Sequence, residues 1–179
     1  MLTVNILGEP KLQIANDDHD LDIHLPAKGI ALIGYIIYAR QPCSRSEAAQ
    51  LLWSGRPHSS AQTNFRQLLK RVKQEFPHGL VWEDQVVNWA PNVPWTCDLR
   101  QFESTVQLTW QGLHAGRDYS VSAPNADLID SVDETAPLQL SSETYAALQS
   151  AVTLYKADFL NGLELDDSPA FGEWLHAQR

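Results

Sequence analysis

Between Ser59 and Phe76 the chain carries Arg66, Lys70, Arg71 and Lys73 against one acid, Glu75, together with Thr63, Asn64, Gln67 and Gln74. At about 100° per residue, Phe65, Leu68, Leu69, Val72 and Phe76 fall on one narrow face of a helix. Thr63, Gln67, Lys70 and Gln74 lie opposite, flanked by Arg66 and Lys73 on one side and by Asn64 and Arg71 on the other. Arg and Lys bond guanine edges or phosphate oxygens, and Asn and Gln amides match adenine edges, so this set of types on one helix face suits the major groove of duplex DNA. A basic outer face is also commonly no more than a solvated surface, and periodicity alone leaves both readings standing.

The charge of the whole chain sharpens the contrast. Its 179 residues have a formal net charge of -9. Residues 1–97 hold nine Lys or Arg and nine Asp or Glu, whereas residues 98–179 hold four and thirteen, so the entire acidic excess lies in the second half. Only the first half can approach a polyanion without strong repulsion. The acidic half reads equally as an ordinary solvated surface or as a surface for a different partner.

Other chemistries find less support. His19 and His24 stand among Asp17, Asp18, Asp20 and Asp22, donors that could hold a divalent metal, but a strand turn scatters such side chains over both faces and a solvated polar turn is the plainer reading. His58, His78, His114 and His176 are dispersed, with no GxSxG nucleophile and no GxxxxGK or GxGxxG phosphate loop. No enzyme, cofactor or metal is therefore expected. Cys43 and Cys97 are too few and too isolated for a disulfide framework or a CxxC site, which fits a reduced cytoplasmic setting. The six tryptophans read as core fillers rather than as a ligand cage. The longest apolar run, Gly29 to Ala39, is too short to span a bilayer, and the N-terminus lacks a basic leader region.

The basic helix needs a scaffold. Alternating apolar residues in "LTVNILG", "KLQIA" and "LDIHL" predict three short antiparallel strands, with Leu21, Ile23 and Leu25 at period two. "AKGIALIGYIIYAR" is apolar nearly all round, as a helix packed on both sides would be. Ser44 or Ser46 can cap the following helix, which ends near Trp53. After the basic helix, Leu80 to Trp82 and Val86 to Trp89 read as a hairpin around Glu83-Asp84-Gln85. Two further helices flank a Gly/Ser/Pro/Asp-rich insertion at about 112–141, and the last helix starts with Ser168 as a cap and Pro169 at its first position. That helix ends at Arg179 just as it becomes long enough to need a partner, so the sequence reads as a fragment of a longer polypeptide.

The order of "SRSEAAQLLW" (Ser44 to Trp53), "SSAQTNFRQLLKRVKQEF" (Ser59 to Phe76), "PWTCDLRQFE" (Pro94 to Glu103) and "YKADFLNGLELDDSPAFGEWLHAQR" (Tyr155 to Arg179) resembles the SARP or AfsR-type family of bacterial transcriptional activators. In that family an OmpR-type winged helix precedes a helical bacterial transcriptional activator domain (BTAD). The most specific matches are Leu52-Trp53, Asn64-Phe65-Arg66-Gln67, Asp158-Phe159-Leu160, Gly162-Leu163 and Glu173-Trp174-Leu175.

The resemblance implies an α+β chain. A winged helix-turn-helix over residues 1–95, with an N-terminal antiparallel sheet and a C-terminal hairpin wing, is followed over 96–179 by the start of an all-α, TPR-like activation domain. It implies a cytoplasmic, sequence-specific DNA-binding activator that grips promoter repeats and recruits RNA polymerase. On it, Thr63, Asn64, Arg66, Gln67, Lys70, Arg71, Lys73 and Gln74 would meet bases and phosphates, and the turn holding Ser54, Gly55, Arg56 and His58 would face polymerase. Its helical half would bind protein and pair protomers into a homodimer. Two features depart from the family pattern: the wing tip is acidic where a glycine and a basic residue are common, and the first half is neutral overall. The alternative is a protein-interaction module on a winged-helix scaffold that no longer reads DNA.

Overall fold

The computed structural model describes residues 1–15, 20–77, 79–114 and 141–179. In chain order these form β1 (Leu2–Asn5), β2 (Lys11–Ala15), β3 (Asp20–Asp22), α1 (Ala27–Ala39), β4 (Cys43–Ser44), α2 (Arg45–Leu52) and α3 (His58–Glu75). There follow β5 (Leu80–Glu83), β6 (Val86–Trp89), β7 (Trp95–Cys97), α4 (Asp98–His114), α5 (Ser142–Leu154) and α6 (Pro169–Gln178). Most of the expected insertion, along with Asp17, Asp18, His19 and His78, lies outside the described residues.

One sheet has the order β3-β2-β1-β7, with antiparallel pairs except for β1 beside β7, which run parallel. Val4 lies opposite Leu12, and both are buried. The third expected strand is shorter and wetter than its alternation suggested: β3 is exposed throughout, with Leu21 47% accessible, because it is the outer edge of the sheet. A second sheet, β4-β6-β5, contains the expected hairpin and adds β4, whose two residues pair with Val86 and Val87.

Between these sheets in sequence runs the helical core. In α1, Ala31, Leu32, Ile33, Ile36 and Ile37 are buried, and each fully buried Leu or Ile contributes about 1.5–3 kcal/mol. Arg40 ends the helix in the left-handed region, returning its N–H to the Ile36 carbonyl. Of the two serines able to cap α2, Ser44 does so: its Oγ accepts from the N–H groups of Ser46 at 3.2 Å and Glu47 at 3.4 Å. α2 packs on α3, and α1 touches both.

The described residues divide into two compact units, Met1–Arg100 with Tyr155–Arg179, and Gln101–Leu154. This division differs from the expected boundary at 95/96, because the C-terminal segment returns to the first sheet. The Leu160 N–H donates to the Ile6 carbonyl at 2.8 Å, the Gly8 N–H to the Asp158 carbonyl at 3.2 Å and the Asn161 N–H to the Gly8 carbonyl at 2.9 Å. Gly8 allows this return with φ of 120°, a conformation that favours glycine. The Arg179 guanidinium then donates to the carbonyls of Phe159 and Leu160 at 2.9 and 2.6 Å. Trp174 packs among the rings of Tyr35, Tyr38, Phe159 and Phe171.

Ser168 precedes Pro169 at the start of α6 as expected, but its side chain does not cap the helix. It is fully buried and its hydroxyl donates to the Leu52 carbonyl, while Ser54 Oγ accepts from the Ala170 N–H at 3.1 Å and serves the helix end instead. The second unit consists, in its described residues, of most of α4 and all of α5, with Leu108, Trp110, Tyr145 and Val152 exposed. Trp110, at 64% accessible, is thus an exception to the reading of all six tryptophans as core.

Candidate nucleic-acid interface

α3 is an 18-residue helix anchored by one side. Ala61, Phe65, Leu68, Leu69 and Val72 are buried, and Phe76 closes the helix beneath Trp89, with ring centroids 5.8 Å apart. Trp53 meets Phe65 edge to face at 6.5 Å. With that face fixed, helical geometry sends the remaining side chains outward: Thr63, Arg66, Gln67, Lys70, Arg71, Lys73 and Gln74 are exposed, and Asn64 is half-buried. The eight residues expected to contact DNA therefore share one outward surface. Thr63 is partly committed, since its hydroxyl donates to the Ser59 carbonyl at 3.0 Å.

The cations on this surface differ in how they are occupied. Lys73 Nζ stands 5.2 Å from the centre of the Trp82 ring, a cation–π contact that ties the helix to the hairpin. The side chains of Arg66, Lys70 and Arg71 form no hydrogen bond or ion pair with another described residue. Elsewhere in the same unit Lys11 pairs with Asp22 and Lys28 with Asp167, so acids are used to neutralise lysines but not here.

The hairpin is held against the helices rather than projecting freely. Cys43 pairs with Val87 and Ser44 with Val86, and the Arg45 N–H donates to the Gln85 carbonyl at 2.8 Å. Its turn places Asp84 in the left-handed region, with φ of 51°. Glu83, Asp84 and Gln85 are all exposed, and Val81 and Val86 are 40% and 39% accessible. Periodicity could not show that Arg45 and Gln85 approach α3; the signal was present only in the pairing of β4 with β6, two residues too short to register as a strand in the sequence.

The loop before α3 also has a definite setting. Ser54, Gly55, Arg56 and His58 are exposed. His58 is the first residue of α3, and its two ring nitrogens bond the amides of Gln50 at 3.2 Å and Gln62 at 2.9 Å. A cleft of about 560 Å³ beside this loop is lined by Tyr35, Glu47, Gln50, Arg56, His58 and Ala170 among others.

Among the described residues no group of three or more His, Cys, Asp or Glu side chains could hold a metal ion, and no helix is long and apolar enough to cross a membrane. Both cysteines are free and buried. Burial pushes the Cys43 thiol up to about 11, with Glu47 adding to the effect, and pushes Cys97 up to about 12. Thiols held protonated in this way are poor nucleophiles, which removes them as candidates for a reactive redox pair.

No protein-family model matches the chain, and no curated protein matches it in sequence. Among solved structures, Mycobacterium tuberculosis EmbR in complex with a low-affinity phosphopeptide is similar in fold, with a TM-score of 0.63 at 15% identity. The match covers 98% of this chain and 41% of the EmbR chain, so the chain spans less than half of that relative's length. The six helices and two sheets of the described residues are thus similar in fold to part of that chain.

Proposed function

We propose that this chain is the DNA-binding part of a transcription regulator of the SARP type, with α3 lying in the major groove. The observation that carries the reading is the set of unpaired cations, Arg66, Lys70 and Arg71, on the outer face of a helix whose inner face is locked into the core. Keeping like charges side by side without acids is unfavourable in isolation and becomes favourable beside phosphates, whose bound counterions are released on contact. Thr63, Asn64, Gln67 and Gln74 supply the neutral donors and acceptors that base edges require.

On the same reading, the protein is a cytoplasmic, non-enzymatic activator that binds promoter repeats. The exposed Ser54, Gly55, Arg56 and His58 face RNA polymerase, and residues 96–179 hold the start of a TPR-like BTAD that pairs protomers. A second reading, a protein-interaction module that no longer reads DNA, draws on the acidic tip at Glu83 and Asp84 beside the exposed Val81 and Val86.

Binding of mixed duplex DNA across a salt series separates the two. Wild type should show a negative slope of log affinity against log salt, and Arg66→Ala and Lys70→Ala should each make it shallower by about 0.9. No binding at low salt, or binding indifferent to both substitutions, would turn the search toward protein partners.

A further inference from the structure

Beside the outer face of α3 is a cleft that shares only Arg66 with the groove-facing residues. It occupies about 260 Å³ and is lined by Arg45, Gln62, Phe65, Arg66 and Gln85. Three elements converge there: Arg45 opens α2, Gln62, Phe65 and Arg66 come from α3, and Gln85 sits in the β5–β6 turn. The backbone fixes their relation, because β4 pairs with β6 and the Arg45 N–H donates to the Gln85 carbonyl at 2.8 Å.

Among the described residues, no acid pairs with the cations that line this cleft. Arg45 Nε is shielded from solvent yet has no hydrogen-bond partner, and a shielded donor without an acceptor destabilises the fold. Arg66 lines the same space, and neither guanidinium makes an ion pair with a described acid. Glu83 and Asp84 are close in sequence to Gln85 but do not fill that role. Gln85 adds an amide donor, Gln62, whose amide bonds His58, borders the cleft, and Phe65 supplies an apolar wall. A water takes roughly 30 Å³ of liquid, so the cleft admits a tetrahedral oxyanion with several waters to spare.

We propose that this cleft seats a phosphate group, with Arg45 as its inner donor and Arg66 as its outer one. Planar guanidinium forks match phosphate oxygens in pairs, which favours phosphate over a spherical anion. Gln62, Arg66 and Lys70 follow one another at i, i+4 along α3, so the seat opens onto the basic strip, and a nucleic-acid backbone running along that strip brings a phosphate to it. The nucleic-acid source rests on the proposed function above; a free phosphate would satisfy the same donors.

The test uses the 179-residue chain as wild type, Arg45→Ala, Arg45→Lys and Arg66→Ala, with duplex DNA across a salt series and with inorganic phosphate against chloride at matched ionic strength. With a backbone phosphate in the seat, Arg45→Ala weakens DNA binding about tenfold and flattens the salt slope by about 0.9, while Arg45→Lys keeps the slope and loses part of the affinity. A methylphosphonate at the seated position then weakens wild type but not Arg45→Ala. Arg45→Ala also keeps or raises the unfolding temperature in the absence of anion, since it removes an unsatisfied donor. Inorganic phosphate that raises the unfolding temperature of wild type but not of Arg45→Ala, without DNA binding, keeps the seat and assigns it to free phosphate. If Arg45→Ala binds DNA like wild type while Arg66→Ala is weakened, and phosphate protects neither wild type nor Arg45→Ala, the seat is overturned and the DNA reading survives. Absence of both DNA binding and phosphate protection in wild type overturns both.

Discussion

A methyl of Leu160 lies 2.7 Å from the point where a Cβ on Gly34 would stand. Leu160 is completely buried, holds its backbone in the left-handed region at φ of 51°, and is fastened by its N–H to Ile6, so only its side chain can give way, and it must do so inside a packed core. In an open helix, Gly34→Ala would stabilise by up to about 1 kcal/mol. Here overpacking should outweigh that gain and destabilise the protein by about 1–3 kcal/mol in denaturant unfolding. A stabilised Gly34→Ala variant would mean that Leu160 does not occupy that niche.

Asp98 is buried and its carboxylate accepts from three backbone N–H groups, Ile6 and Leu7 at 2.9 Å and Leu99 at 2.7 Å. It staples the Asp98–Leu99 backbone to the residues just after β1. Asp98→Ala strands these donors out of reach of water and should cost about 2–4 kcal/mol, with Asp98→Asn falling between it and wild type. Equal unfolding midpoints for the three proteins would refute the staple.

The two buried thiols give a pH signature. Their protons are held more tightly in the folded chain than at the ordinary value of 9.0, since burial raises Cys43 to about 11 and Cys97 to about 12. The folded state then binds more protons than the unfolded one above pH 9, so the stabilisation they provide is complete below that pH and disappears as pH rises through their folded values. Stability measured at pH 8 and pH 10.5 should fall, and fall less in a Cys43→Ala, Cys97→Ala double variant. A thiol reagent at pH 7 should modify neither cysteine until the protein unfolds.

Glu83 and Asp84 stand exposed at the hairpin turn, beside the cleft that holds Arg45 and Gln85. If the turn approaches DNA, Glu83→Gln with Asp84→Asn should raise affinity several-fold at low salt and little at high salt, because only a screened repulsion has been removed. Asn tolerates the left-handed conformation of Asp84, so the hairpin should keep its shape. An affinity that stays constant places the turn away from the backbone.

Elements with a strong local period were legible from the sequence. The apolar face of α3, from Phe65 to Phe76, the all-round apolar α1 and the hairpin around Asp84 follow from spacing alone because each buries its own periodic residues. The relations between elements were not legible. β7 joins β1 in parallel across more than 90 residues of sequence, and β4 is two residues long, so neither leaves a periodic mark. Ser168 carries every local sign of a cap, yet its hydroxyl serves Leu52, because a buried acceptor elsewhere competes for it. The outer residues of the candidate site are exposed as their spacing implies, except for the half-buried Asn64, but Arg45, Gln62 and Gln85 gather beside Arg66 only through tertiary pairing.

The return of residues 155–179 to the first sheet has a consequence for synthesis of the chain. The unit that carries α3 is discontinuous, with residues 101–154 made in between. On the ribosome, α1 emerges long before Leu160, Phe171 and Trp174, which pack in its unit, and at 5–20 residues per second the wait from Arg100 to Arg179 is roughly 4–16 s. During that interval the face of α1 at Gly34 and Tyr35 that Leu160 and Trp174 cover, and the backbone of Ile6 and Gly8, stand uncovered. Nascent chains stalled at residue 100 should therefore be captured by holdase chaperones and digested by protease, whereas chains with Arg179 beyond the exit tunnel should resist both.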